Sequence, residues 1–169
     1  MENYKRYILV GFMGAGKTFL GKQLAERLRI PFIDSDKEIE SQTGSTINQI
    51  FEKEGEDSFR LKEQNFIKQL KKDQSFVLAT GGGLPCYSRN MDILNDLGTT
   101  IYLKLDASTL ANRLMDNNQE RPLIEENQLD HLTLFIKEKL AVREQFYNNA
   151  EVILKPEYQT LDGILEMIN

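Results

Sequence analysis

The sequence predicts an α/β fold, a three-layer sandwich in which a five-stranded parallel sheet is covered on both faces by helices. Five short apolar or β-branched runs carry that expectation: Tyr7–Val10, Phe32–Ile33, Phe76–Ala79, Thr100–Leu103 and Val152–Leu154. Stretches with helical periodicity lie between them. Strands that alternate with helices are joined by right-handed crossovers, which makes neighbouring strands parallel and buries both faces of the sheet. Three unusual segments follow the first three runs: a glycine-rich loop at 11–18, Asp34-Ser35-Asp36, and Gly81-Gly82-Gly83. In such a sheet all three fall at the carboxyl edge, where ligands of open α/β folds gather.

Length and charge narrow the possibilities. A chain of 169 residues suits a single domain over 1–169, with no repeat or Pro/Gly-rich linker to divide it. With 21 Lys and Arg against 26 Asp and Glu, the net charge is −5, which argues against a nucleic-acid surface. Any anionic substrate must then be held by a few local cations. Cys86 is the only cysteine, so no internal disulfide is expected. No signal peptide is recognised at the N-terminus and no apolar run is long enough to span a membrane, so a cytoplasmic protein with no membrane partner is expected.

The first strand ends on Gly11-Phe12-Met13-Gly14-Ala15-Gly16-Lys17-Thr18, which fits G-x-x-x-x-G-K-[ST] at every fixed position. Leu20, Leu24 and Leu28 follow at helical spacing. Strand, glycine loop and helix together make a phosphate cradle. The backbone N–H groups of Gly14, Ala15 and Gly16 turn inward, and the helix N-terminus adds partial positive charge. Lys17 would reach the β- and γ-phosphates of a nucleotide and the Thr18 hydroxyl would ligate Mg²⁺. A plain glycine turn would need neither Lys17 nor Thr18.

Asp34 and Asp36 stand two apart at a strand end, where extended geometry would put both carboxylates on one side. One of two acids beside a P-loop can hold Mg²⁺ and the other can accept a proton from an attacking hydroxyl. The plainer reading is a helix N-cap, since Asp-Ser-Asp before Lys37-Glu38-Ile39-Glu40 is good capping chemistry. Gly81, Gly82 and Gly83 close the strand Ser75–Ala79, and three consecutive glycines suit a place where a ligand approaches the backbone.

Two arginines stand out by periodicity. In a helix expected from about Leu129 to Tyr147, the inward stripe reads Leu129, Leu132, Ile136, Leu140, Arg143, Tyr147. A guanidinium on an apolar face needs an anionic partner or a route to solvent. In Phe59-Arg60-Leu61-Lys62-Glu63, the spacing lets Glu63 orient Arg60. Arg60 and Arg143 could together grip a small carboxylic acid, because a guanidinium binds a carboxylate through two parallel bonds. The polar stretch Asp116–Glu120 leads to Arg121-Pro122-Leu123 and reads as a loop in which Arg121 could stabilise a transferring phosphoryl group. Arg113 either assists or is solvated. Cys86 and His131 read as bystanders. Thr160 is expected to cap a C-terminal helix that packs through Leu161, Ile164, Leu165 and Ile168.

Assembled, these segments make the chain resemble the shikimate kinases over essentially its full length. The shared signatures are Gly-x-x-x-x-Gly-Lys-Thr at 11–18, Asp34-x-Asp36, Phe59-Arg60-x-x-Glu63, Gly81-Gly82-Gly83 and Arg121-Pro122-Leu123. The resemblance implies a P-loop NTPase fold with strand order 2-3-1-4-5, a substrate-binding region at about 35–62 and a lid at about 114–125. It also implies transfer of the ATP γ-phosphoryl group to the 3-hydroxyl of shikimate, in aromatic amino-acid biosynthesis, with Mg²⁺; a monomer is expected, though the sequence does not fix the oligomeric state. Carried over by position, Lys17, Asp36 and Arg121 are catalytic, and Gly14, Ala15, Gly16, Lys17, Thr18 and Arg121 bind ATP. Thr18 and Asp34 hold the metal. Asp36, Arg60, Gly81, Gly82, Gly83 and Arg143 bind shikimate. The family often reads Arg-x-Pro-Leu-Tyr where this chain has Arg143-Glu144-Gln145-Phe146-Tyr147, so the helix is expected to run on past Arg143. Two other readings remain at this point. A kinase for another small acid, such as gluconate, fits the arginine pair equally. A nucleotide-binding switch would bind ATP or GTP and leave Arg60 and Arg143 without an anion.

Overall fold

A computed structural model of the chain describes residues 4–116 and 126–168, apart from the side chains of 126 and 127. Five strands form one parallel sheet: β1 (Arg6–Val10), β2 (Phe32–Asp34), β3 (Phe76–Ala79), β4 (Thr99–Leu103) and β5 (Val152–Leu154). Their order is β2-β3-β1-β4-β5, as expected. β1 lies at the centre, with Leu9 in register with Ala79 of β3 on one side and with Ile101 of β4 on the other. Ile8, Leu9 and Val10 are fully buried. Successive strand residues point to opposite faces, so helices must cover both sides of β1.

Helix α1 (Lys17–Leu28) packs Leu20, Leu24 and Ala25 into the core, the face that its leucine spacing predicts. It sits very close to the sheet. A Cβ on Gly21 would come within 2.7 Å of the Phe32 ring and 2.9 Å of Leu9. At the C-terminus, α7 (Leu161–Ile168) begins as expected, with the Thr160 hydroxyl accepting from Gly163 N–H at 3.1 Å. Three strand boundaries move by one residue from their expected places, within the usual uncertainty of element ends.

One expectation is corrected. Asp34 and Asp36 do not share an extended strand: β2 stops at Asp34, and helix α2 (Ser35–Thr43) starts immediately after it. Asp34 Oδ1 accepts from the Asp36 and Lys37 N–H groups at 3.1 and 3.4 Å, which is N-cap geometry. Capping competes with strand extension, and an Asp-Ser-Asp sequence resolves that competition toward the helix.

Helix α3 (Ile47–Gln69) begins with a capping box in which Thr46 accepts from Gln49 N–H at 3.2 Å and the Gln49 side chain accepts from Thr46 N–H at 3.0 Å. Gly55, at φ 81°, breaks the helical path midway, a conformation that costs little only for glycine. Thr46→Ala removes the cap and should cost about 1 kcal/mol. Urea denaturation would show this as a lower midpoint at unchanged slope. An unmoved midpoint would show that the box does not anchor α3.

The remaining described helices are α4 (Asn90–Leu97), α5 (Ala107–Asp116) and α6 (Glu126–Tyr147), with short 3₁₀ turns at Leu84–Cys86 and Pro156–Tyr158. No helix among the described residues is long and apolar enough to cross a membrane.

Candidate active site

The glycine loop between β1 and α1 forms the centre of the site. Gly14 and Gly16 take φ values of 79° and 97°, which side chains rarely adopt, and Gly16 is the N-cap of α1. The helix therefore opens with its first N–H groups toward the loop rather than toward a capping side chain. Lys17 is buried, and its ammonium donates to the carbonyls of Gly11 and Phe12 at 2.8 Å each. Burial pulls its pKa down to about 8, against the pull of Asp36 and then Asp34, while Arg143 adds to the lowering.

Thr18 and Asp34 meet as the sequence leads one to expect. The Thr18 hydroxyl donates to Asp34 Oδ2 at 3.0 Å, while Oδ1 caps α2. The two readings of Asp34 are thus compatible, one for each oxygen. Asp36, in the first turn of α2, faces the same space. Lys17, Thr18, Asp34, Asp36, Gly81 and Gly82 line a cavity of about 370 Å³. Asp36 Oδ1 is buried and has no hydrogen-bond partner among the described residues. Burial raises the Asp36 pKa and Asp34 raises it further, with Lys17 pulling in the opposite direction. A carboxylate that is desolvated and short of a donor is ready to accept a proton.

The three glycines after β3 make room mainly for the protein's own side chains. A Cβ on Gly81 would lie 2.6 Å from Asp36 Oδ1 and 3.1 Å from Glu63 Oε1, and one on Gly83 would lie 2.5 Å from the Arg60 guanidinium. Gly82 runs against the loop backbone at Met13 N and Gly11 O. The Gly81 N–H donates to Ser35 Oγ at 2.8 Å, and the Tyr147 hydroxyl donates to Gly82 O at 2.5 Å, which locks the glycine run between α2 and α6.

Arg60 and Arg143 come together. Both line a second cavity of about 220 Å³ beside the first, with Gly83, Cys86 and Phe146. Arg60 Nη1 donates to Glu63 Oε2 at 2.7 Å, the bond the i, i+3 spacing predicts. Its Nε and Nη2 donate to Glu56 Oε1 at 3.3 and 2.9 Å, a partner not evident beforehand. These bonds occupy three of the five guanidinium N–H groups and leave two for a ligand. Glu63 is fully buried with Oε1 unpartnered among the described residues, and burial raises its pKa to about 7 against the opposing pull of Arg60. The Arg143 guanidinium lies over the Phe12 ring at 5.4 Å and is hydrogen-bonded to the Tyr147 hydroxyl. α6 does run on past Arg143, to Tyr147.

A third cavity, about 430 Å³, opens beside the loop and shares Gly14, Gly16 and Phe19 with the first. Ala15, Leu20, Arg113, Asp116 and Gln159 complete its lining, and Arg113 donates to Ala15 O at 3.1 Å. Arg113 is thus part of the site, and the involvement of Gln159 has no signal in the sequence. Arg121 lies outside the described residues. Among the described residues no cluster of three or more His, Cys, Asp or Glu could cage a metal.

The family model for shikimate kinase matches residues 13–168. The chain belongs to the shikimate kinase family. A shikimate kinase from Azobacteroides pseudotrichonymphae genomovar. CFP2 is 40% identical over 163 residues, covering 96% of each chain. Among solved structures, a shikimate kinase from Bacteroides thetaiotaomicron superposes with a TM-score of 0.84 at 35% identity, covering 96% of each chain. A shikimate kinase from Acinetobacter baumannii, solved in complex with shikimate, has a TM-score of 0.81 at 35% identity, covering 98% of this chain and 90% of that one. Shikimate kinases of this fold are P-loop NTPases, and membership makes the protein an ATP-dependent kinase.

Proposed function

We propose that the protein transfers the γ-phosphoryl group of ATP to the 3-hydroxyl of shikimate, giving shikimate 3-phosphate and ADP. One observation carries this reading beyond family membership: Asp36 lines the cavity at the Lys17 loop, and the glycine run that walls that cavity at Gly81 and Gly82 continues to Gly83 beside Arg60 and Arg143. A phosphate cradle, a proton acceptor and a double cationic seat stand in that order. A small hydroxylated acid fits with its carboxylate on the arginines and a hydroxyl at Asp36.

The geometry supports the following roles. Arg60, held by Glu63 and Glu56, and Arg143, held over Phe12, bind and orient the carboxylate. The Asp36 carboxylate takes the hydroxyl proton as the new O–P bond forms in line with the breaking bond to ADP. Lys17 exchanges its two carbonyl partners for phosphate oxygens, and its charge follows the charge that develops there. The 430 Å³ cavity beside Arg113 takes the nucleoside end of ATP. Arg121 is placed in the lid by position in the sequence alone.

The donor set fits Mg²⁺. Thr18 and Asp34 offer a hydroxyl and a carboxylate, a partial oxygen shell of the kind that phosphates and water complete around this ion. Bound there, Mg²⁺ would neutralise charge on the phosphate oxygens.

The test is an ADP-release assay with ATP and Mg²⁺ and either shikimate or gluconate. Release with shikimate and a background rate with gluconate is expected. Release with gluconate alone, or no acceptor-dependent release, would overturn the assignment.

A further inference from the structure

At the β5 edge of the sheet, α6 does not close fully onto the strand. Leu140 and Ala141 on α6, Leu105 after β4, and Ile153 and Pro156 at β5 make an apolar floor. The groove holds about 700 Å³, within the range of roughly 300–1,000 Å³ usual for small-molecule sites, and shares no lining residue with the three cavities around the glycine loop. Ile153 remains 40% exposed on this floor.

The rim is cationic on a protein of net charge −5. Lys104, Lys137 and Lys155 stand around the groove with two acids, Asp106 and Glu144. Both acids are committed. Glu144 accepts from Lys104 Nζ at 2.8 Å and from the Tyr102 hydroxyl at 3.4 Å. Asp106 accepts from Thr109 N–H at 2.9 Å and from the Ser108 and Thr109 hydroxyls, at the start of α5 where the helix dipole offsets its charge. Lys137 and Lys155 have neither an ion pair nor a hydrogen bond from their side chains among the described residues. They are exposed at the mouth, above the apolar floor.

Apolar floor and unpaired cations together define a complementary ligand. We propose that this groove binds a small organic acid with an apolar body, its anionic group between Lys137 and Lys155 and its hydrophobic part on Leu140, Ala141 and Ile153. Inorganic anions lack the apolar part, and uncharged aromatics leave the lysines unanswered. The floor supplies apolar burial and the lysines select the charge.

The test uses 2-naphthoate as probe, with shikimate and ADP in excess to fill the cleft, followed by ¹H–¹⁵N spectra of the full chain. The amides of Leu105, Ala107, Ala141 and Ile153 should shift saturably. Acetate and 2-naphthalenemethanol should bind at least about tenfold more weakly. The exposed double variant Lys137→Glu/Lys155→Glu should lose about tenfold or more in naphthoate affinity. Ala141→Leu, which fills the floor and leaves the charge unchanged, should lose a similar amount. Shifts confined to other surfaces, equal binding of the neutral alcohol, or unchanged affinity in the charge-reversed or floor-filled variant would each overturn the proposal.

Discussion

Asp36→Asn should lower kcat by about 10²–10⁴ while leaving shikimate binding within a few-fold of the wild type. The substitution keeps the side chain's shape. It removes only the ability of the carboxylate to take a proton, and breaks no hydrogen bond at Oδ1, which has no partner among the described residues. Binding should survive because the carboxylate seat is built from other elements, Arg60 on α3 and Arg143 on α6. A pH profile separates a base from a mere contact. Burial and the neighbouring Asp34 raise the Asp36 pKa, so wild-type kcat/KM should climb with pH through a limb above the ordinary aspartate range. That limb should vanish in Asp36→Asn. Near-normal turnover, or an unchanged limb in the variant, would take Asp36 out of this role.

How far the site could be read in advance depends on the range of each interaction. β3 and β5 are bounded correctly because each is a continuous apolar run between polar residues. Arg143 is legible through one helix period, since its neighbours in the stripe, Ile136, Leu140 and Tyr147, are buried. The Arg60–Glu63 bond is likewise local. Asp36 illustrates a partial success: it reaches the predicted space, but from a helix turn rather than a strand, because capping by Asp34 ends β2 early. What escaped notice is long-range. Arg113 meets Ala15 across 98 residues, and Tyr147 meets Gly82 across 65. No periodicity records such pairs, because the order of strands in the sheet brings them together. The glycine run shows the same limit. Its need for open space is legible, yet only the fold reveals that Asp36, Glu63 and Arg60 occupy it.

Lys17→Met should cost about 10²–10³ in kcat, the scale for losing one preorganised charge contact at the transition state. The Met stem preserves the packing of a residue that is 8% exposed, so the loss reports charge rather than a cavity. Nucleotide affinity offers an independent check through its pH dependence. Burial lowers the Lys17 pKa from 10.5 to about 8 in the empty site. Phosphate binding needs the ammonium form, so above about pH 8 the protein must take up a proton to bind. ADP affinity should therefore fall as pH rises through 8, approaching tenfold per unit, and calorimetry in buffers of different ionisation heat should register the uptake. In Lys17→Met both the slope and the uptake should be absent. Stability should move the other way. The unfolded chain holds this proton up to about 10.5, so the penalty for burying the charge is fully present below pH 8 and is relieved as pH climbs from 8 to 10.5. A wild-type ADP affinity that stays flat across that window would show that Lys17 keeps its proton in the empty site, held by the carbonyls of Gly11 and Phe12.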